Sequence, residues 1–224
     1  SNSNMAFSGR GFVEDLPVEC LDDDLFGRKE MARQIATSIY ATNNKKSFAI
    51  GVIGEYGSGK TSFLNMINMH LNEDVEKVSF DIWKLNSPES ISSSFFDLLA
   101  TKLADIDPDI ATRIYSYSRL LSNIDNRAKL WINRISLFNN PDAQIGREVE
   151  KIDALLKNID KKIVITIDDV DRLNSEEVYE LLKLIRSTAN FTHIFFLVAY
   201  DRSYIENLLI NTKNKQEQRL YLDK

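Results

Sequence analysis

Residues 54 to 61 read Gly-Glu-Tyr-Gly-Ser-Gly-Lys-Thr and keep the spacing G-x-x-x-x-G-K-[ST]. Glycines at 54, 57 and 59 let a backbone curl until successive N–H groups face the oxygens of a phosphate chain. Lys60 would reach the β- and γ-phosphates, and the Thr61 hydroxyl would hold Mg²⁺. Gly54, Glu55, Tyr56, Gly57, Ser58, Gly59, Lys60, Thr61 and the adjoining Ser62 are therefore the candidate nucleotide-binding residues. This chemistry requires a strand before the loop and a helix after it. Residues 47–53 (SFAIGVI) form an apolar β-type run, and residues 62–71 (SFLNMINMHL) have helical spacing. A helix starting near Lys60 adds its positive dipole end to the phosphate site.

A triphosphate site also needs an acidic partner for the metal. The β-branched run at residues 163–167 ends in Asp168-Asp169-Val170-Asp171-Arg172. A buried strand that ends in carboxylates delivers them to the sheet edge where open α/β folds bind ligands. Asp168 is the candidate Mg²⁺ partner through a coordinated water. Asp169 is the candidate for polarising the water that attacks the γ-phosphate. Adjacent carboxylates favour the ATPase branch that carries an extra catalytic acid. In that branch a further strand, here residues 194–199 (IFFLVA), lies between the phosphate-loop strand and the carboxylate strand. Tyr200-Asp201-Arg202 ends it, which puts Asp201 near the γ-phosphate as a candidate sensor. Arg172 and Arg202 are candidates to stabilise transition-state charge, in cis or across a subunit interface. Ion pairs at helix starts are the alternative for each.

The base is read as adenine. Asn214-Lys215-Gln216-Glu217 departs from the guanine-reading N-K-x-D by Glu for Asp and lies in a charged helical tail. No D-x-x-G follows the second strand, predicted at residues 75–83. ATP and Mg²⁺ are thus the expected ligands. His70 reads as a helix-end side chain, His193 as a residue preceding a strand, and no Cys/His cluster suggests zinc.

The elements that must position these residues follow from periodicity. Amphipathic spacing predicts helices at 28–42 and, in a long region after the second strand, stripes through Ile91, Phe95, Leu98, Leu99 and Leu103, then Ile110, Ile114, Tyr117 and Leu121. A third short helix is expected at 128–137 and another through Ile145, Val149, Ile152 and Leu156. Asn174 with Glu177 has the form of a capping box before the helix that carries Val178, Leu181, Leu182 and Ile185. Strands alternating with helices imply a three-layer α/β domain with a mainly parallel sheet.

The chain has 224 residues, of which 43% are hydrophobic and 27% charged, enough for one sizeable core. A net charge of −5 argues against a surface committed to nucleic acid. The single cysteine, Cys20, excludes an internal disulfide and fits a reducing, cytoplasmic setting. No apolar run reaches the roughly 18 residues a membrane span needs. Residues 1–20 read as a tail and lead-in, and residues 21–224 as one domain with a soluble helical insertion at about 85–158. Residues 213–224 keep a charged helical pattern without a stop signal, so a longer protein is expected.

These motifs resemble those of the KAP family of P-loop NTPases. The loop is similar to the family's G-E-W-G-S-G-K-[ST]-[ST], with Tyr56 for Trp, and Asp168 to Arg172 match D-D-h-D-R. Phe80 to Trp83 (FDIW) resemble F-N-x-W, and Phe196 to Arg202 (FLVAYDR) resemble a strand ending in A-Y-D-R. Leu25-Phe26-Gly27-Arg28 is similar to the h-h-G-R-E element of related ATPases, with Lys29 in place of Glu. That likeness implies Phe26, Gly27 and Arg28 beside the base and ribose. Many family members carry transmembrane helices between loop and acidic strand, so the full-length protein is a candidate for membrane association. Here the interval is amphipathic and interrupted by Asp, Asn, Arg and Pro. Family members also continue beyond a segment like residues 221–224 into a further strand, which implies an uncovered sheet edge beside residues 48–53. The resemblance implies an ATP-driven switch with protein partners in a larger signalling or anti-phage defence assembly, with self-association if an arginine is supplied in trans. The alternatives are a nucleotide-bound scaffold with little hydrolysis, an initiator-like DNA-associated ATPase and a small-molecule kinase.

Overall fold

Among the described residues the chain builds one sheet of five strands: β1 (Pro17–Glu19), β2 (Ala49–Ile53), β3 (Val75–Ser79), β4 (Lys162–Ile167) and β5 (Ile194–Tyr200), the last two rich in β-branched and aromatic residues. Its order is β1-β2-β5-β4-β3, and every pairing is parallel. The computed structural model describes residues 17–19, 25–42, 49–54, 59–85, 90–131, 141–188, 191–201, 203, 204 and 207.

Parallel strands need crossovers, and helices supply them on both faces. Alternate side chains along each strand enter different cores. Ile163, Ile165 and Ile167 of β4, with Phe196 and Val198 of β5, face α3 (Ile91–Leu103), α4 (Pro108–Trp131), α5 (Pro141–Leu156) and α6 (Ser175–Thr188). Val164, Phe195, Leu197 and Ala199 face α1 (Leu25–Ala41) and α2 (Lys60–His70). All seven residues of β5 are buried, as expected of a central strand covered twice. The larger core is braced by edge-on rings, Phe96 against Tyr117 at 4.7 Å and Phe80 against Phe95 at 5.5 Å. Burial pushes the Tyr117 phenol up to about 12. The three-layer fold and the place of β5 between β2 and β4 are those expected from the sequence.

Three details differ from expectation. The strand predicted over residues 75–83 stops at Ser79, and residues 82–84 form a single helical turn. Asp81 draws the chain out of the ladder, because its carboxylate accepts from Ser79 Oγ at 3.2 Å and Lys84 Nζ at 2.9 Å. The helix expected to begin at Ala128 does not start there, since α4 runs unbroken through Trp131. Lastly, the edge beside β2 is covered. Val18 of β1 pairs with Val52 in parallel, so the lead-in itself contributes a strand. The helix expected after β5 falls mostly outside the described residues.

Among the described residues no helix is long and apolar enough to cross a membrane.

Candidate functional site

β2 runs into Gly54, which is buried and donates its N–H to the Tyr200 carbonyl at 3.3 Å. Gly59 has φ 86 and ψ 26, a left-handed geometry that costs a residue with a Cβ about 1–2 kcal/mol. Gly59 caps α2, its carbonyl accepting the Phe63 N–H at 2.9 Å. Glu55, Tyr56, Gly57 and Ser58 lie outside the described residues. A Cβ on Gly59 would stand 2.7 Å from Arg28 Nη1, so the Arg28 guanidinium packs directly on the end of the loop. Gly27 is exposed beside it on the first turn of α1, and Ser62 is exposed on the first turn of α2. Phe26 belongs to the same turn of α1.

Lys60 opens α2, and its Nζ donates to the Gly54 carbonyl at 3.0 Å, closing the loop from its last residues to its first. The Thr61 hydroxyl donates to Asp168 Oδ2 at 2.6 Å. This bond turns the hydroxyl proton toward the carboxylate and leaves the oxygen's lone pairs for a cation. Asp168 Oδ1 accepts the Asp169 N–H at 2.8 Å. Hydroxyl and carboxylate oxygens are the hard donors Mg²⁺ prefers, and Mg²⁺ bound to a phosphate chain needs only one or two protein carboxylates. The donor set therefore fits that ion.

Asp169 adopts φ 58 and ψ 34, a conformation Asp tolerates better than most residues but still at a cost. Its carbonyl accepts the Arg172 N–H at 3.0 Å, and burial of Val170 and Leu173 holds the turn down. Arg172 Nε stands 3.9 Å from Asp169 Oδ1, with the two side chains 62% and 43% exposed. Water screens such a pair, which contributes little to stability.

Asp201 follows β5 and caps the next turn: its Oδ1 accepts from Ser203 N at 2.9 Å, Ser203 Oγ at 2.5 Å and Tyr204 N at 3.3 Å. The Ser203 hydroxyl foremost holds this carboxyl below the ordinary aspartate range. Burial opposes it, and the main-chain N–H groups of Tyr204 and Ser203 and the charge of Lys60 assist. Asp201 thus sits within electrostatic reach of Lys60. Arg202 lies outside the described residues.

The fold brings Arg28, Gly54, Gly59, Lys60, Thr61, Asp168, Asp169 and Asp201 to the C-terminal edge of one parallel sheet. Two further contributors carry no motif role of their own. Asp171 Oδ1 accepts the Asp201 N–H at 2.7 Å. Gly51 makes room for the Tyr200 ring, since a Cβ there would stand 3.0 Å from Tyr200 Cε1. For Asp171 the only sequence signal was its place in the acidic motif.

The profile of the KAP family P-loop domain matches residues 28–224. The chain belongs to the KAP family. It is also similar to the phage T7 exclusion protein of Escherichia coli (strain K12), 23% identical over 246 aligned residues, which cover 94% of this chain and 33% of that protein. The chain thus spans about a third of the length of that relative. The matched KAP region takes in Arg28, the whole phosphate loop and both acidic strand ends, and it leaves β1, Phe26 and Gly27 outside.

Proposed function

We propose that this KAP domain binds ATP with Mg²⁺ and hydrolyses it, serving as a nucleotide switch inside a larger cytoplasmic signalling or anti-phage assembly. The observation that carries this reading is the 2.6 Å bond from Thr61, the residue after Lys60, to Asp168 at the carboxyl edge of the sheet. Lys60 binds the β- and γ-phosphate oxygens, and the loop glycines supply main-chain N–H donors. Thr61, and Asp168 through a coordinated water, would hold Mg²⁺, whose charge would offset that of the phosphate oxygens. Asp169 orients the attacking water and takes its proton on a carboxylate oxygen. Arg28, which the resemblance puts beside the base and ribose, packs on Gly59 at the end of the phosphate loop, and this contact favours the phosphate end of the nucleotide instead. The net charge of −5 argues against a surface broadly committed to nucleic acid. The defence role is suggested by the name of the phage exclusion relative.

Single-turnover phosphate release with Mg²⁺ tests the reading. Lys60→Ala and Asp169→Asn should each slow release by about 10²-fold or more. Chelating Mg²⁺ should do the same to the unaltered chain. Equal release from all three proteins would overturn hydrolysis, and ATP binding without turnover would select the scaffold reading instead.

A further inference from the structure

The peptide unit joining Tyr200 to Asp201 is held on both edges. Its carbonyl accepts the Gly54 N–H at 3.3 Å, and its N–H donates to Asp171 Oδ1 at 2.7 Å. A peptide unit is a rigid plane, so a partner on one edge also orients the other. Gly54 carries the line onward, because its carbonyl accepts Lys60 Nζ at 3.0 Å. A chain of hydrogen bonds therefore runs from Asp171, just past β4, across the end of β5, to the first residue of the phosphate loop and its lysine.

The ladders on either side of β5 show why a side chain is needed. Toward β2 the pairing continues to Ile53 opposite Tyr200. Toward β4 it ends at Ile167 opposite Val198, short of Asp201. Past that point the carboxylate of Asp171 stands in for the missing main-chain partner. A bond from an amide to a carboxylate is roughly twice as strong as a neutral one. The line also closes on itself. Thr61, adjacent to Lys60, donates to Asp168, which directly precedes the turn that carries Asp171 and is pinned by buried Val170 and Leu173.

We infer that Asp171 is a positioning residue that holds the Tyr200–Asp201 peptide, and through it Gly54 and the Lys60 ammonium, in register with the Asp168–Asp169 carboxylates. Its consequence for nucleotide affinity rests on the ATP reading above, whereas its consequence for the backbone does not.

The test compares the unaltered chain with Asp171→Ala and Asp171→Asn by residue-resolved amide exchange without nucleotide. In Asp171→Ala the amides of Asp201 and Gly54 should exchange about tenfold faster, with those of β4 unchanged. Asp171→Asn keeps an acceptor oxygen and should stay within about threefold of the unaltered chain at both amides. The Kd for a fluorescent ATP analogue with Mg²⁺ should rise about tenfold in the alanine variant and less than threefold in the asparagine variant. Faster exchange at Asp201 with Gly54 unmoved would end the relay at β5 and overturn the inference. Equal behaviour of the two variants, or loosening of β4 together with the rest, would overturn it as well. Failure of the unaltered chain to bind the analogue would count against the ATP reading alone, and the exchange rates would still judge the relay.

Discussion

Replacing Gly59 by alanine separates backbone geometry from crowding at the end of the phosphate loop. At φ 86 and ψ 26, an alanine costs about 1–2 kcal/mol through its Cβ contact with its own backbone. The new methyl also meets Arg28 Nη1 at 2.7 Å, against an ordinary contact of about 3.5 Å, so the guanidinium must retreat by about 0.8 Å. A terminal group on a flexible stem makes that move for about 0.5 kcal/mol of rotamer strain. The backbone cost therefore dominates, and the total should be about 2 kcal/mol. For a domain of this size that lowers Tm by about 4–8 °C. Urea and thermal melts of Gly59→Ala, Arg28→Ala and the double variant measure it. The cycle should give a coupling below about 0.5 kcal/mol, because relief of crowding is a small share of the loss. Gly59→Asn should lose less than Gly59→Ala, since Asn tolerates the left-handed region better. A Gly59→Ala variant as stable as the parent would refute the backbone argument. So would recovery of more than half the loss on adding Arg28→Ala.

Ser203→Ala removes the largest of the interactions that hold the Asp201 carboxyl below its ordinary range. A folded pKa below the unfolded one stabilises at pH above about 4 and is lost as pH falls through the folded value. The variant should therefore be about 0.5–1 kcal/mol less stable at pH 7, with the gap narrowing below pH 4; a gap independent of pH in urea melts would contradict this. Asn174→Ala should cost about 1 kcal/mol in the same melts, because Asn174 Oδ1 accepts the Glu177 N–H at 2.9 Å while Glu177 Oε1 accepts the Asn174 N–H at 3.0 Å. A loss below about 0.3 kcal/mol would show that α6 does not depend on this cap.

Much of this architecture is legible in local pattern. The capping box at Asn174 and Glu177 forms as expected because both partners lie within one turn. The Asp107 carboxylate accepts the Asp109 N–H at 2.9 Å, an equally local contact at the start of α4. The all-buried β5 is visible as a continuous apolar run. Where expectation failed, the competing force was also local but subtler, as at Asp81, whose side chain ends β3 in an otherwise strand-like sequence. Other features have no local signature. Lys162 at the start of β4 donates to the Ile39 and Tyr40 carbonyls, both at 2.6 Å, and so caps α1 across more than 120 positions of sequence. Nothing near Lys162 in the chain announces that partner.

The sequence by itself determined which residues could meet a phosphate chain and a cation, because the loop is contiguous and its glycines answer to their own backbone. It also determined that Asp168 would stand at a strand's carboxyl end, since an apolar run followed by acids can be read one residue after another. Only the tertiary structure decided which groups hold those residues in place. That Arg28 packs on Gly59, that Thr61 donates to Asp168, and that Asp171 reaches Lys60 through Asp201 and Gly54 depend on strand order and register. Those are set by the collective burial of both faces of the sheet, and no short stretch of the chain encodes them.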